Sequence, residues 1–208
     1  MYVEIETARL AGPVDEVVQR VRDHVVPLLQ GRPGFKGYCA FASEAGDAFH
    51  SIGLFESRES AEEAMARLRE WAGEGMRGLV EGAETVGGEA VFHDVEAPKE
   101  QQRDRHRPLF AVIRTYHGLP GQTETMHSIV SEKTLPAIEG AEGFRGFYSF
   151  RDEAEPDRAV SVTLFDTRED ALRTHDAVLA IMRERLGDMA YDLPEMVAGE
   201  TAVLATGE

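Results

Sequence analysis

The chain has 208 residues, 42% of them hydrophobic, so it can bury one ordinary core or two small ones and is not a disordered protein. A formal net charge of −16 and a pI near 4.8 make it a poor partner for phosphate backbones and anionic lipid, although solubility is the plainer reading of the same charge. The N-terminus has neither a basic nor an apolar leader segment, no window is a long uninterrupted apolar run, and a cytoplasmic protein is expected. Cys39, the single cysteine, can form neither an internal disulfide nor a cysteine metal site and reads as a small core residue.

Residues 2–9 alternate weakly, Val3 and Ile5 against Glu4 and Glu6, as a half-buried strand does. Gly12 and Pro13 open a helix in which Val14, Val17, Val18, Val21, Val25 and Leu28 form one apolar stripe. Gly31, Pro33 and Gly34 stop it. An aromatic-rich strand runs to Phe41, a polar turn covers residues 43–47, and Phe49 to Phe55 is the returning strand of a hairpin. Ser57 is placed to cap a helix carrying Ala61, Ala64, Met65, Leu68, Trp71 and Ala72 on its apolar side. A glycine-rich passage from Gly73 to Gly88 leads to a last strand, Glu89 to Phe92.

This order, strand-helix-strand-strand-helix-strand, is the split βαβ unit of ferredoxin-like α+β folds. Residues 94–107 are almost wholly polar and read as a linker, after which the unit repeats. Gly34-Phe35-Lys36-Gly37-Tyr38 returns as Gly143-Phe144-Arg145-Gly146-Phe147, 109 positions on; Leu54, Phe55, Arg58 and Glu59 return as Leu164, Phe165, Arg168 and Glu169, 110 positions on. The chain therefore divides into a first repeat at 1–93, the linker at 94–107 and a second repeat at 108–208. A lone unit leaves one sheet face bare, and apolar burial is worth roughly 25 cal/mol per Å². The two repeats are expected to form one intramolecular barrel with four helices outside, the chain being otherwise a monomer or weak homodimer.

The Gly-Phe-x-Gly-Tyr/Phe strand, the hairpin partner ending Leu-Phe-Glu/Asp-Ser/Thr-Arg-Glu and the closing Gly-Glu strand resemble the antibiotic-biosynthesis-monooxygenase-like (ABM) family of dimeric α/β barrels, the second repeat more closely than the first. The resemblance implies a small-molecule ligand and a range of activities: cofactor-free oxygenation of aromatic compounds, isomerisation, haem degradation, or none. Haem-degrading relatives pair a helix tryptophan with a strand asparagine and a histidine. This chain has no asparagine, and Glu81 stands ten residues after Trp71, so neither haem nor another cofactor is expected.

Other motifs carry less. Gly73-Glu74-Gly75-Met76-Arg77-Gly78 matches GxGxxG but follows a helix instead of opening one, and reads as a helix end. The seven histidines include no helical i, i+4 pair, so no metal site is expected. Differences between the repeats are more informative. His175 falls on an apolar helical stripe where the first repeat has Met65, and is either a hydrogen-bonded core histidine or an acid or base facing a cavity. Arg114 and Tyr116 match Ile5 and Thr7 at 109 and point either inward or to solvent. If inward, His175 and Arg114 would be catalytic, as acid or base and oxyanion stabiliser, while Tyr116, Trp71 and Tyr148 would contact a flat substrate. The functional expectation is a cofactor-independent monooxygenase or isomerase acting on a small aromatic or carbonyl compound. The competing expectation is a non-catalytic small-molecule-binding or stress-related module with a vestigial pocket.

Overall fold

A computed structural model describes residues 1–94, 107–117, 130–186 and 194–207. The body of the expected linker therefore lies outside the described residues. Among the described residues there are eight strands: β1 (Tyr2–Leu10), β2 (Phe35–Ala42), β3 (Ala48–Phe55), β4 (Val80–Asp94), β5 (Phe110–His117), β6 (Phe144–Arg151), β7 (Arg158–Phe165) and β8 (Glu195–Thr206). The hydrogen-bonded order is β4-β1-β3-β2-β8 in the first unit and β5-β7-β6 in the second. The fold class is the expected one, α+β with two ferredoxin-like repeats.

By contacts the chain divides into two units, 1–90 with 199–208, and 91–198. In the first, β1 lies between β3 and β4, and β2 pairs with β3 on one side and with Thr201–Thr206 of β8 on the other. The end of the chain thus completes the sheet of the first unit. In the second, β7 lies between β5 and β6. All these pairs are antiparallel.

The helices show what the repeat dictates. The first apolar stripe forms α1 (Val14–Arg20), a π-helical turn over Val21–Val25, and α2 (Val26–Gln30). Pro27 has no N–H to give, and its ring crowds the carbonyl four residues back. The turn before it widens, and Val26 N–H reaches Val21 O instead. The second copy repeats the cause and the result, with a π turn over Val130–Thr134, then α4 (Leu135–Glu139) carrying Pro136. The expected cap of α3 (Arg58–Gly75) is formed: Ser60 N–H donates to Ser57 Oγ, and Ser57 N–H donates to Ser60 Oγ. At the start of α5 (Arg168–Leu186) Asp170 N–H likewise donates to Thr167 Oγ1, and the Thr167 hydroxyl donates to Asp170 Oδ2. The turn glycines Gly34 and Gly143 have φ of +77° and +73°, and a Cβ on either would strike the Ser60 or Asp170 side chain.

One boundary differs from the sequence reading. β4 begins at Val80, so much of the glycine-rich passage is strand. Pairing with β1 from Leu10 to Tyr2 supplies its backbone hydrogen bonds and overrides the low strand propensity of glycine. The GxGxxG passage ends a helix, as expected: Gly73 and Gly75 close α3, and Gly78 turns at φ +76°.

Each unit has its own core between sheet and helices. In the first, Tyr2, Val17, Val21, Phe35, Phe55, Met65 and Leu68 pack together; in the second, Phe110, Val112, Ile138, Phe144, Phe147 and Phe165 do. Cys39 is buried, and burial pushes its thiol up to about 12, in keeping with an unreactive core residue. Among the described residues no helix is long and apolar enough to cross a membrane.

Candidate functional site

Strand register decides which side chains can meet. Tyr2 pairs with Phe55, and Phe110 pairs with Phe165, so the first strands of the two units correspond at an offset of 108. The sequence matching at 109 placed Arg114 with Ile5 and Tyr116 with Thr7. In the sheets Arg114 stands opposite Ser161 as Glu6 stands opposite Ser51, and Tyr116 corresponds to Ala8. A one-residue slip turns every side chain to the other face. The true counterpart of the arginine is therefore a glutamate.

In the second unit Arg114 and Tyr116 face the helices and line a cavity of about 160 Å³. Phe147 and Ser149 of β6, Ser161 and Thr163 of β7, and Thr174, Val178 and Met182 of α5 complete most of its wall. Arg151, Pro156 and Asp157 form an exposed rim. The wall is mostly apolar, with hydroxyls gathered around the guanidinium, the composition expected of a small-molecule pocket.

Arg114 is 4% exposed. Its Nε donates to His175 Nδ1 at 3.1 Å, and its Nη1 donates to Thr163 Oγ1 at 3.0 Å. No carboxylate among the described residues forms an ion pair with it. Among the described residues two of its five donors find acceptors, and the guanidinium remains part of the cavity wall. Burial lowers its pKa, opposed by Tyr116, but an arginine stays charged. Burial raises the pKa of Tyr116, against Arg114 and a hydrogen bond with Ser161.

The structure thus brings His175 and Arg114 together. Burial, and then the Arg114 cation, lower the His175 pKa against Asp176, so the ring is neutral near pH 7 and accepts at Nδ1. His175 is not among the cavity-lining residues; it holds the guanidinium from behind. Tyr148 is buried but points away, because Phe147 and Ser149 on either side of it face the cavity. Trp71 lies in the first unit, on a different cavity.

That cavity is the larger, about 260 Å³, and is lined by Glu6, Tyr38, Ser51, Leu68, Trp71 and Met76, among others. The first unit is therefore not a filled copy. Its sheet carries two carboxylates on the helix-facing side. Glu4 is 7% exposed, has Arg69 at 3.5 Å, and its Oε1 accepts no hydrogen bond. Burial, opposed by Arg69 and reinforced by Glu6 and Glu62, pushes its pKa from 4.5 up to about 7. Burial raises that of Glu6 as well. A carboxyl whose folded pKa lies above its unfolded value stabilises the fold below about 4.5, and that contribution is lost as pH rises through about 7. Glu4→Gln is therefore expected to gain about 1–2 kcal/mol relative to the parent at pH 8, with little difference at pH 4.5, after allowing for screening by solvent. Urea titrations at the two pH values check this; a variant less stable at pH 8 contradicts it.

Sequence reading missed Thr163, Thr174, Ser161, Glu4 and Glu6. The repetition of Ser51 as Ser161 was visible, but the face each strand presents was not.

Residues 109–183 match the family model described as antibiotic biosynthesis monooxygenase. The match lies within the second repeat. No curated protein matches the chain. Among solved structures, a protein from Fusobacterium nucleatum provisionally named a monooxygenase superposes with a TM-score of 0.77 at 11% identity, covering 99% of this chain and 94% of that one. A similarly named protein from Lactobacillus acidophilus gives 0.74 at 11% identity, over 99% and 97%. An anthrone oxidase-like protein gives 0.59 at 11% identity, over 99% and 93%. At such identities the likeness is one of fold. The matched segment contains Arg114, Thr163 and His175, and so spans the guanidinium and both its hydrogen-bond partners.

Proposed function

We propose that the second unit binds a small, flat, partly apolar molecule with its anionic or enolisable oxygen on Arg114, and acts on it as a cofactor-independent monooxygenase or isomerase. The observation that carries this is the buried guanidinium, without a carboxylate partner among the described residues, on the wall of an apolar cavity. A buried charge lacking a counter-ion is costly, and a ligand oxyanion offsets that cost where it forms. Thr163 and His175 fix the direction of the guanidinium, and Phe147 and Tyr116 bound the space for a ring. Arg114 would favour the enolate or phenolate of the ligand over its neutral form, making the ring electron-rich at the carbon to be oxygenated or protonated. The anthrone oxidase-like neighbour makes cyclic aromatic ketones a reasonable first panel.

A second reading is favoured by size. About 160 Å³ falls below the roughly 300 Å³ common for ligand pockets, which suits a non-catalytic binding module with a narrow ligand. One experiment separates the readings: oxygen uptake and product analysis with phenols, anthrones and cyclic 1,3-diketones, alongside binding measured by fluorescence, for the parent and Arg114→Met. Turnover reduced about 100-fold by the substitution supports the enzyme. Arg114-dependent binding without turnover supports the binding module. Binding indifferent to Arg114 overturns both.

A further inference from the structure

We infer that the first unit holds a second binding site, of opposite charge preference, for an organic amine. The proposal rests on that unit's residues alone and does not depend on the function assigned to the second unit. Glu6 occupies the register position that Arg114 holds in the other unit, opposite Ser51 as Arg114 is opposite Ser161, and it faces a cavity of about 260 Å³. The duplication has kept the place and inverted the charge.

Three observations point to an ammonium. Glu6 has no hydrogen bond or salt bridge with any described residue, so its carboxylate is available on the cavity wall. The charges nearby do not neutralise it. Arg69 is 3.5 Å from Glu4, which is itself buried two residues away, and its charge acts on both carboxylates, so that one guanidinium serves two. At the exposed rim Glu81 is paired with Arg9 at 2.6 Å, and the exposed Arg77 makes no ion pair among the described residues. Finally, inside that rim the wall shared with Glu6 includes Tyr38, Phe49, Leu68, Trp71 and Met76, flat or apolar surfaces, and one hydroxyl pair, since Tyr38 and Ser51 are hydrogen-bonded. One carboxylate among aromatic side chains suits an alkylammonium carrying an apolar body. It does not suit a hard metal ion, which takes six or more oxygens, and no group of three potential metal ligands occurs among the described residues.

The test uses 2-phenylethylamine, with phenylacetate and 2-phenylethanol as matched probes of opposite and zero charge, titrated calorimetrically into the full chain at pH 8.5. The amine is expected to bind about tenfold or more tightly than the alcohol, and Glu6→Gln to remove about tenfold of that affinity. Arg114→Met should leave amine binding within about twofold, because it touches only the other cavity. Ala72→Phe, which fills the first cavity from α3, should abolish amine binding and provides the test should Glu6→Gln fail to fold. Absence of amine binding by the parent, equal binding of the alcohol, or amine binding retained in both first-unit variants overturns the proposal. Loss of amine binding in Arg114→Met alone would place the amine in the second unit, and would overturn it equally.

Discussion

Phe144→Ala and Phe35→Ala are each expected to cost about 3–5 kcal/mol of folding stability, the range for deleting a buried aromatic ring. Phe144 is 3% exposed and meets the fully buried Phe165 edge-on, with ring centroids 6.1 Å apart and planes at 71°. Phe35 and Phe55 repeat the pair at 6.1 Å and 66°, with 4% and 0% exposure. Each ring stands where the signature strand begins and fills the space beneath the helix that follows. The two substitutions should thus cost similar amounts, with the edge-to-face contact adding to the loss of buried area. Urea or thermal unfolding of each variant measures the effect. A loss below about 1 kcal/mol at either site would mean that the ring is not the core residue described here.

His175→Met should destabilise the protein by about 1–3 kcal/mol, although methionine is what the first unit carries at the matching position, where Met65 is buried. In the first unit the strand position of Arg114 is held by Glu6. In the second unit the substitution leaves Arg114 Nε buried without its acceptor, 3.1 Å from where Nδ1 had been. Combining it with Arg114→Met removes the stranded donor, and the double variant should lose clearly less than the sum of the single losses, with a coupling of about 0.5 kcal/mol or more. The same cycle on ligand binding separates the two residues. His175→Met should weaken binding at Arg114 by loosening the guanidinium, whereas a ligand-facing histidine would lose binding with stability unchanged. Strict additivity in stability would show that the hydrogen bond contributes nothing.

Much of the candidate site was within reach of the sequence. Arg114 was named because the matching at 109 set it against Ile5, and His175 because the other copy has an apolar residue there; the structure joins them by a hydrogen bond. Tyr148 and Trp71 were named on residue type. Burial and aromaticity are shared by core and pocket residues, and only strand alternation and the division into two units separate them. Glu6 was overlooked because an acidic residue in a weakly alternating strand reads as its wet side.

Local chemistry is what the sequence by itself determined. The duplication, the turn glycines Gly34 and Gly143 with their left-handed φ, the Ser57 cap and the aromatic strands depend on residues close together in the chain, and they occur as read. The register between β1 and β5, and with it the exchange of Glu6 for Arg114, was decided by tertiary structure. Sequence matching counts residues through loops, where an insertion costs little, and it gave an offset of 109. The sheet counts from the hydrogen-bonded partners Phe55 and Phe165, and gives 108. Because strand side chains alternate with period two, that single residue determined which of them face the helices and hence what charge each cavity carries.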